Sequence, residues 1–232
     1  MGERINTIMK SVEFPTKENG IFETCVNQFE KEQSTNEEAV RIVFSSFDNS
    51  SIENILIKVI ILNNRYSAGL TDNQISESKR IEYESKDKAI PVDVTTMAEH
   101  IFNNRNLFDS ISKKEDIIEL VEKLRKVDDK HQDAYSFATK YCSRTFKEYD
   151  IPIVDSYVKG LLYRLNKKKP FTYDFTQKDL NTYQEYCRIY NDFVKDFVEK
   201  TGLSKENYKN IDKYLWQYAK DLLVNDNIDI RI

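Results

Sequence analysis

The sequence predicts an all-α fold, and three observations lead to this prediction. Only five glycines and four prolines occur among 232 residues, whereas all-β folds need such turn residues at short intervals. Apolar side chains recur at spacings of three and four residues, which is the period of a helix with one buried face. Charged residues make up 32% of the chain, a share that suits helices with solvated outer faces. The length allows one ordinary domain or two small lobes.

Capping boxes predict where four of the helices begin. In a capping box, a Ser or Thr and an acidic residue three positions later satisfy the unpaired N–H groups of the first helical turn. The four boxes are Ser34–Glu37, Ser50–Glu53, Ser112–Glu115 and Thr176–Asp179. They predict helices that run to about Phe47, through Leu62, through Leu124 and on to Gly202, respectively. A last helix is predicted to start at Ser204.

The spacing of apolar residues predicts further helices between these. Val92–Asn103 is one of them, and Asp133–Phe146 is another because it carries an apolar stripe of helical period. The residues of that stripe are Ala134, Phe137, Ala138 and Tyr141. A helix over Ile153–Asn166 follows Pro152. The segment Thr71–Ile90 is polar and has no periodicity, so we expect a long loop or a short irregular excursion there.

The sequence lacks the signals of several protein classes. Met1–Lys10 has no apolar run of signal-peptide length, and the most apolar stretch, Ile55–Leu62, is interrupted by Lys58, so we expect no membrane segment. The three scattered cysteines argue against disulfides and favour a reducing cytoplasm. The histidines, His100 and His131, have no partners at zinc-site spacing, so we expect no metal. A glycine-rich phosphate loop is also absent, which argues against P-loop nucleotide hydrolysis.

The charge is unevenly distributed along the chain. The formal net charge is −4. Between Lys123 and Lys169, however, twelve Lys or Arg face six Asp or Glu, a balance of +6; the remainder carries −10, since −4 minus +6 is −10. Such asymmetry allows one face of a protein to meet an anion such as nucleic acid while the rest stays soluble.

An isolated acid, Asp155, precedes a basic predicted helix. From Ser156 to Tyr173 there are five basic residues and no acidic one. One interpretation is an N-cap, in which the carboxylate accepts hydrogen bonds from backbone N–H groups and stabilises the helix by about 0.5–2 kcal/mol. The other is catalysis, because cleavage of an N-glycosidic bond develops positive charge on the sugar, and a carboxylate stabilises that charge or activates a water. The candidate phosphate-binding cations are Arg144, Lys159, Arg164, Lys167, Lys168 and Lys169.

The segment Ile151–Val158, IPIVDSYV, resembles the stretch that follows the hairpin in helix-hairpin-helix DNA glycosylases. In that family a Pro-apolar-Asp-x-x-Val run carries the catalytic aspartate at the start of a helix, and Asp155 occupies that position here. Tyr135–Tyr141 matches the second hairpin helix in position, and Ile52–Leu62 matches the family's apolar helix that ends near the DNA. The resemblance implies a two-lobed helical fold with a cleft between the lobes, double-stranded DNA as the partner, and base flipping followed by excision.

The resemblance also implies lobe boundaries and a type of chemistry. Residues 52–147 would form a central lobe with the hairpin-like helix pair, and residues 1–51 with 148–232 a second lobe that carries the catalytic aspartate. No glycine lies between Leu124 and Asp133, where the family's hairpin glycines approach phosphate. Lys130 and Lys140 are the nearest candidates for the family's lyase nucleophile, but neither lies in the motif, so we expect a monofunctional enzyme. The cysteine quartet of iron–sulfur members is absent, so no cofactor is expected.

Two further groups of residues are candidates for contact with a flipped base. The first could fill the space that an extruded base leaves, or could simply be a polar helix end; it consists of Asn64, Arg65 and Tyr66. The second could stack on the base, although aromatic residues at helical spacing are more often core side chains. It consists of Tyr135, Phe137, Tyr141 and Tyr157, and the core interpretation applies to Phe137 especially.

Three hypotheses follow from the sequence. The first is a monomeric, monofunctional DNA glycosylase that acts on a damaged or modified base, with the target base and its chromosomal or phage origin left open. The second is a catalytically inactive DNA-binding relative, which the missing hairpin glycines favour. The third is an α-helical protein–protein interaction module in which Asp155 is only a cap and the basic run meets an acidic partner.

Overall fold

The computed structural model describes residues 20–203 and 208–225, which form α-helices joined by short connections. In these ranges there are ten α-helices and one 3₁₀ turn, Asp179–Asn181, and β-type pairing is limited to two isolated bridges. The all-α prediction is confirmed. The helices are α1 (Ile21–Ser46), α2 (Ile52–Tyr66), α3 (Glu77–Ser85), α4 (Val94–Asn103), α5 (Asn106–Asp109), α6 (Lys114–Leu124), α7 (Tyr135–Thr145), α8 (Ser156–Lys168), α9 (Tyr183–Thr201) and α10 (Tyr208–Asn225).

The chain folds into two compact units. Unit 1 comprises Met1–Ser34 and Val154–Ile232, and unit 2 comprises Thr35–Ile153. The boundary between them falls inside α1 and again shortly before α8. Unit 2 therefore contains the predicted central lobe of residues 52–147 together with the second part of α1.

The core of unit 2 is built around α2. This helix packs against α4 and α7, and α7 in turn packs against α6. Its inward face carries Ile55, Val59 and Leu62, all three fully buried. The helix starts one residue later than the Ser50–Glu53 box predicts, since its N-cap is Ser51, whose hydroxyl accepts a hydrogen bond from the backbone N–H of Asn54 at 3.2 Å. The hydroxyl of Ser50 instead donates to Asp48.

The core of unit 1 is rich in aromatic rings. The ring of Phe22, in the first part of α1, lies 5.4 Å from that of Phe197 and 5.7 Å from that of Tyr214. Further along the same helix, Phe29 meets Trp216 edge to face at 5.6 Å. The residues of α8 pack against α10 in the same unit. The first part of α1 is therefore an integral part of the core that α9 and α10 build.

Two predicted helix starts are wrong. A capping-box sequence does not always mark the start of an α-helix, because it can also lie inside a longer helix or precede a 3₁₀ turn. The Ser34–Glu37 box does not open a helix, since α1 already begins at Ile21 and runs through it. Apolar residues upstream, such as Phe22 and Phe29, continue the buried stripe, and the exposed Ser34 costs little in a helix interior. The Thr176–Asp179 box does form, with the carboxylate 2.7 Å from the Thr176 nitrogen, but it opens only the 3₁₀ turn; α9 starts at Tyr183.

Two further predictions concern the end of a helix at Gly202 and the polar segment Thr71–Ile90. Gly202 ends α9, as predicted, with a φ of +70°, a backbone conformation that glycine adopts without strain. The expected loop over Thr71–Ile90 contains α3, which buries none of its residues. A helix without a buried face has no apolar period, so sequence periodicity could not reveal it. Met1–Lys10 and the predicted helix start at Ser204 lie outside the described residues.

Two further features concern the prediction of a cytoplasmic protein without a membrane segment. Across the described ranges, every helix is too short or too polar to cross a membrane. The three cysteines, Cys25, Cys142 and Cys187, are all buried free thiols.

Candidate functional site

Asp155 is the N-cap of α8. Its backbone is extended, with φ −137° and ψ 142°, and its carboxylate accepts a hydrogen bond from the backbone N–H of Tyr157 at 2.9 Å. The side chain is half-buried. The acid thus lies at the helix start where the sequence predicts it. This geometry provides the capping contact of one interpretation, and the partial exposure of the residue is compatible with the other.

Of the two predicted cations nearest to Asp155 on α8, Lys159 is buried and Arg164 is partly exposed. Lys159 is 9% exposed, and its ammonium donates a hydrogen bond to Oδ1 of Asn181 at 2.8 Å. The guanidinium of Arg164 donates to the carbonyl of Gly160 at 3.1 Å and is half-buried. The burial of Lys159 does not fit the predicted contact with a phosphate, because its ammonium is bound to the side chain of Asn181 instead.

The lysine run lies at the opposite end of α8. Lys167, Lys168 and Lys169 are exposed, and the ammonium of Lys167 pairs with the carboxylate of Asp174. A helix of 13 residues is about 20 Å long at a rise of 1.5 Å per residue. These lysines are therefore too far from Asp155 to contact the same nucleotide, although they could contact a phosphate several base pairs away.

A second group of predicted residues converges in unit 2 around a carboxylate that the sequence analysis did not single out. The guanidinium of Arg144 donates to both oxygens of Glu37, at 2.9 and 2.7 Å, and to the hydroxyl of Tyr66 at 3.0 Å. Tyr66 also donates a hydrogen bond to Glu37, and its carbonyl accepts from the ammonium of Lys140 at 3.3 Å. Glu37 appears in the sequence only as a capping-box partner, which concealed its role inside α1.

Within this group, the guanidinium of Arg144 neutralises the carboxylate of Glu37. Lys140 is 7% exposed, and burial holds the pKa of Tyr66 well above its usual value, so that its hydroxyl remains protonated. Arg65, just before it on α2, is exposed and donates to Asn36 at 3.4 Å, and Asn64 is exposed as well. The predicted void-filling residues therefore divide into two exposed side chains and one that is bound into a polar network.

The predicted stacking aromatics lie mostly in the core. Tyr141 is fully buried, and its hydroxyl donates to Asn49 at 2.7 Å. Tyr135 is 8% exposed, and the guanidinium of Arg125 lies 3.7 Å from its ring centre. Neither ring offers a face to a base in this arrangement, so the core interpretation fits both of them. Tyr157 is half-buried.

The connection between α6 and α7 is held together by its own ion pairs. Arg125, 5% exposed, donates to Asp133 at 2.9 Å and to Glu122 at 3.2 Å. The Nδ1 atom of His131 lies 2.8 Å from Oδ1 of Asp128. Lys130, the other candidate nucleophile, is exposed and pairs with a glutamate of α3. Because the connection carries these carboxylates and contains no glycine, it is a poor counterpart of a phosphate-binding hairpin.

Lys58 is a buried lysine that the sequence analysis treated only as an interruption of an apolar run. It is 3% exposed, and its ammonium donates to Oδ1 of Asn49 at 2.8 Å. The rings of Phe44 and Tyr141 lie 5.3 and 5.9 Å from it. Burial lowers the pKa of Lys58 to about 8, an effect that Asp48 opposes and Lys147 reinforces.

Other arrangements of ligating groups are limited. In the ranges that the structure describes, no three His, Cys, Asp or Glu side chains come together as a metal site would require. A depression of about 470 Å³ lies between α2 and α3 in unit 2, and none of the predicted site residues lines it. Its lining residues include Thr71, Asp72 and Lys79.

Comparison with known proteins identifies relatives of the chain. Residues 21–150, which span α1 to α7, match the family model described as HI_0787_N, N-terminal domain. A Haemophilus influenzae protein described as an uncharacterized protein is 33% identical over 177 residues, which are 75% of this chain and 71% of that protein. No solved structure matches the chain. The matched range includes Lys58 and the Arg144 network and ends before Asp155. The chain belongs to the HI_0787_N family.

Proposed function

We propose that the protein is a monofunctional DNA glycosylase-like hydrolase, which extrudes a modified base from double-stranded DNA and cleaves its N-glycosidic bond. The observation that carries the proposal is the position of Asp155. Asp155 is a partly exposed residue that caps the start of α8, and the helix that follows carries basic charge and no acidic residue. The proposal includes the two-lobed architecture of helix-hairpin-helix glycosylases that the sequence motif implies.

The chemistry needs one carboxylate and one water. As the base leaves with the electrons of the C1′–N bond, C1′ of the sugar becomes electron-deficient. An ionised carboxylate nearby stabilises this charge, and it accepts a proton from the water that forms the new C1′–O bond. The base takes up a proton as it departs. The hydrogen bond from the Tyr157 N–H to Asp155 would hold the carboxylate in one orientation during these steps.

Features at both ends of α8 support the proposed contact with DNA phosphates. The N-terminus of a helix presents backbone N–H groups and a partial positive charge, both of which favour anions. The exposed lysines at the other end of α8 would neutralise phosphates further along the duplex. Since Lys159 is buried, the grip near the target nucleotide depends on backbone groups more than on side-chain cations.

The test is the Asp155→Asn variant. Asn caps helices about as well as Asp does, so the exchange keeps the cap and removes the charge. We expect an unchanged melting temperature and a loss of base release of about a hundredfold or more. The assay incubates the protein with duplexes that carry a panel of modified bases and then cleaves the abasic sites with alkali.

A matched control is Asp93→Asn at the start of α4. Asp93 is another N-cap, whose carboxylate accepts from the backbone N–H groups of Thr95 and Thr96, so the same chemical change is made far from Asp155 in the sequence. The control is expected to release bases as the unaltered protein does. Base release that persists at the same rate in Asp155→Asn, or no release by the unaltered protein on any duplex of the panel, would refute the proposal.

A second candidate function is DNA binding without chemistry. The capping contact of Asp155 favours the absence of chemistry, since this residue serves the fold in a way that needs no substrate. It predicts duplex binding that weakens with salt, with no abasic sites formed.

A further inference from the structure

The loop that follows α8 has a fixed shape. Asn166, 4% exposed, accepts hydrogen bonds from the backbone N–H groups of Phe171 and Thr172 at 3.0 and 3.2 Å, and it donates to the carbonyl of Tyr173 at 3.0 Å. The hydroxyl of Thr172 donates to Asp192 of α9 at 2.5 Å. A buried amide with three backbone partners, backed by a contact to the next helix, orders the loop before any ligand arrives.

The ordered loop presents one aromatic side chain outward. Tyr173 is 38% exposed. The guanidinium of Arg188 lies 3.8 Å from the centre of its ring, and its hydroxyl donates to Glu185. Glu185 in turn pairs with Arg188 at 2.7 Å. The ring is therefore held at its edge and backed by a cation on one face, which lowers the entropy cost of using its remaining exposed surface for binding.

The surroundings of Tyr173 are basic. From Arg164 to Arg188 there are six Lys or Arg and three Asp or Glu. Lys167, Lys168 and Lys169 are exposed directly before the loop. Two of the three carboxylates in this range, Asp174 and Glu185, are already paired with Lys167 and Arg188. The stretch from Arg164 to Arg188 therefore carries a net charge of +3, which Asp192 beside Thr172 lowers to +2, and a positive balance favours an anionic partner.

We propose that Tyr173 and the adjacent pair Lys168–Lys169 form a binding surface for single-stranded nucleic acid. An unpaired base stacks on the ring of Tyr173, and the two lysines contact the phosphates next to that base. The exposed aromatic ring distinguishes this partner from an acidic peptide, which would use the cations alone. The unpaired state follows because a duplex keeps the faces of its bases stacked against one another. The surface needs neither Asp155 nor any base excision.

Binding of a fluorescein-labelled 12-mer of deoxythymidine, measured by anisotropy at low salt, tests the proposal. Tyr173→Ala is expected to weaken binding about tenfold, as the loss of one stacked base does. Tyr173→Trp is expected to keep the affinity, and the emission of the new indole should be quenched when the oligonucleotide binds. This second variant shows stacking directly and keeps the test decisive if Tyr173→Ala disturbs the loop.

A control with two other exposed lysines distinguishes phosphate contacts by Lys168 and Lys169 from nonspecific electrostatic attraction of the oligonucleotide. Lys168→Ser with Lys169→Ser should weaken binding and flatten the dependence on salt, whereas Lys88→Ser with Lys126→Ser removes two exposed cations elsewhere and should change binding little. Asp155→Asn should bind the 12-mer normally, so that failure of the glycosylase proposal and failure of this one give different results. Unchanged binding by a folded Tyr173→Ala variant, an unquenched indole, or equal affinity for a polyglutamate peptide would overturn the proposal.

Discussion

At the scale of single residues, Lys58 shows how a polar group is kept in the core of unit 2. Its ammonium has a neutral hydrogen-bond acceptor and two aromatic faces rather than a contacting carboxylate. These contacts offset part of the free-energy cost of removing the ammonium charge from water. The pKa of Lys58 is still lowered, which means that they do not offset all of it. A buried lysine of this kind usually costs stability at neutral pH.

The Lys58→Met variant tests this cost. Because the pKa of Lys58 is about 8 in the folded chain and near the ordinary lysine value of 10.5 in the unfolded chain, the free-energy cost of burying the charge is complete below pH 8 and declines as pH rises from 8 towards 10.5. We expect the variant to melt a few degrees higher than the unaltered protein at pH 7. The difference should narrow by pH 10, in thermal melts compared at each pH. A difference that is constant across this range would contradict the assigned pKa.

Single residues also show what a sequence can and cannot predict about a site. The sequence places Asp155 correctly at a helix start, because a cap is a local feature. It does not predict the burial of Lys159, which depends on Asn181 beyond the end of the helix. It likewise does not predict the ion pair between Glu37 and Arg144, which are far apart in the chain. Long-range partners are set by tertiary packing, and neither periodicity nor capping encodes them.

At the scale of elements, α2 and α3 represent two kinds of helix. Ile55, Val59 and Leu62 of α2 are fully buried, and the period of these residues made the helix predictable. None of the residues of α3 is buried, and the helix ends in a turn rather than against a core. Helices of the second kind derive little stability from packing, so we expect them to open more readily than the rest of the unit.

A pair of substitutions checks this contrast. Ile81 on α3 is 57% exposed, whereas Ile55 on α2 is fully buried. We expect Ile81→Lys to change the free energy of unfolding by no more than about 0.5 kcal/mol. Ile55→Ala should lower it by about 2–5 kcal/mol. Denaturant melts of both variants decide the matter, and a large loss for Ile81→Lys would mean that α3 is packed more tightly than its exposure indicates.

At the scale of the whole molecule, the two units differ in how the chain builds them. Unit 2 is one continuous stretch, Thr35–Ile153, whereas unit 1 combines the first part of α1 with the helices from α8 onward. The contacts of Phe22 and Phe29 with rings of α9 and α10 show why unit 1 needs both pieces. The sequence motif does not locate a boundary inside a helix, because such a boundary depends on tertiary packing rather than on a local pattern.

Fragments of the chain test this description. Residues 35–153 contain a core of their own and are expected to give a helical circular dichroism spectrum with a cooperative melt. Residues 154–232 lack the part of α1 that fills the aromatic core, so they should be much less stable. Adding residues 20–34 as a separate peptide should restore part of the melt. If the second fragment alone melted as cooperatively as the first, the assignment of the first part of α1 to the core of unit 1 would be wrong.

The rate at which the three buried thiols are alkylated would measure how often each unit unfolds. Alkylating reagents attack thiolates, and burial keeps Cys25 protonated by raising its pKa to about 12 and raises the pKa of Cys142 as well. Cys187, 4% exposed, is shielded in the same way from bulky reagents. Labelling of Cys25 or Cys187 by iodoacetamide would therefore time the unfolding of unit 1, and labelling of Cys142 that of unit 2, without any introduced probe.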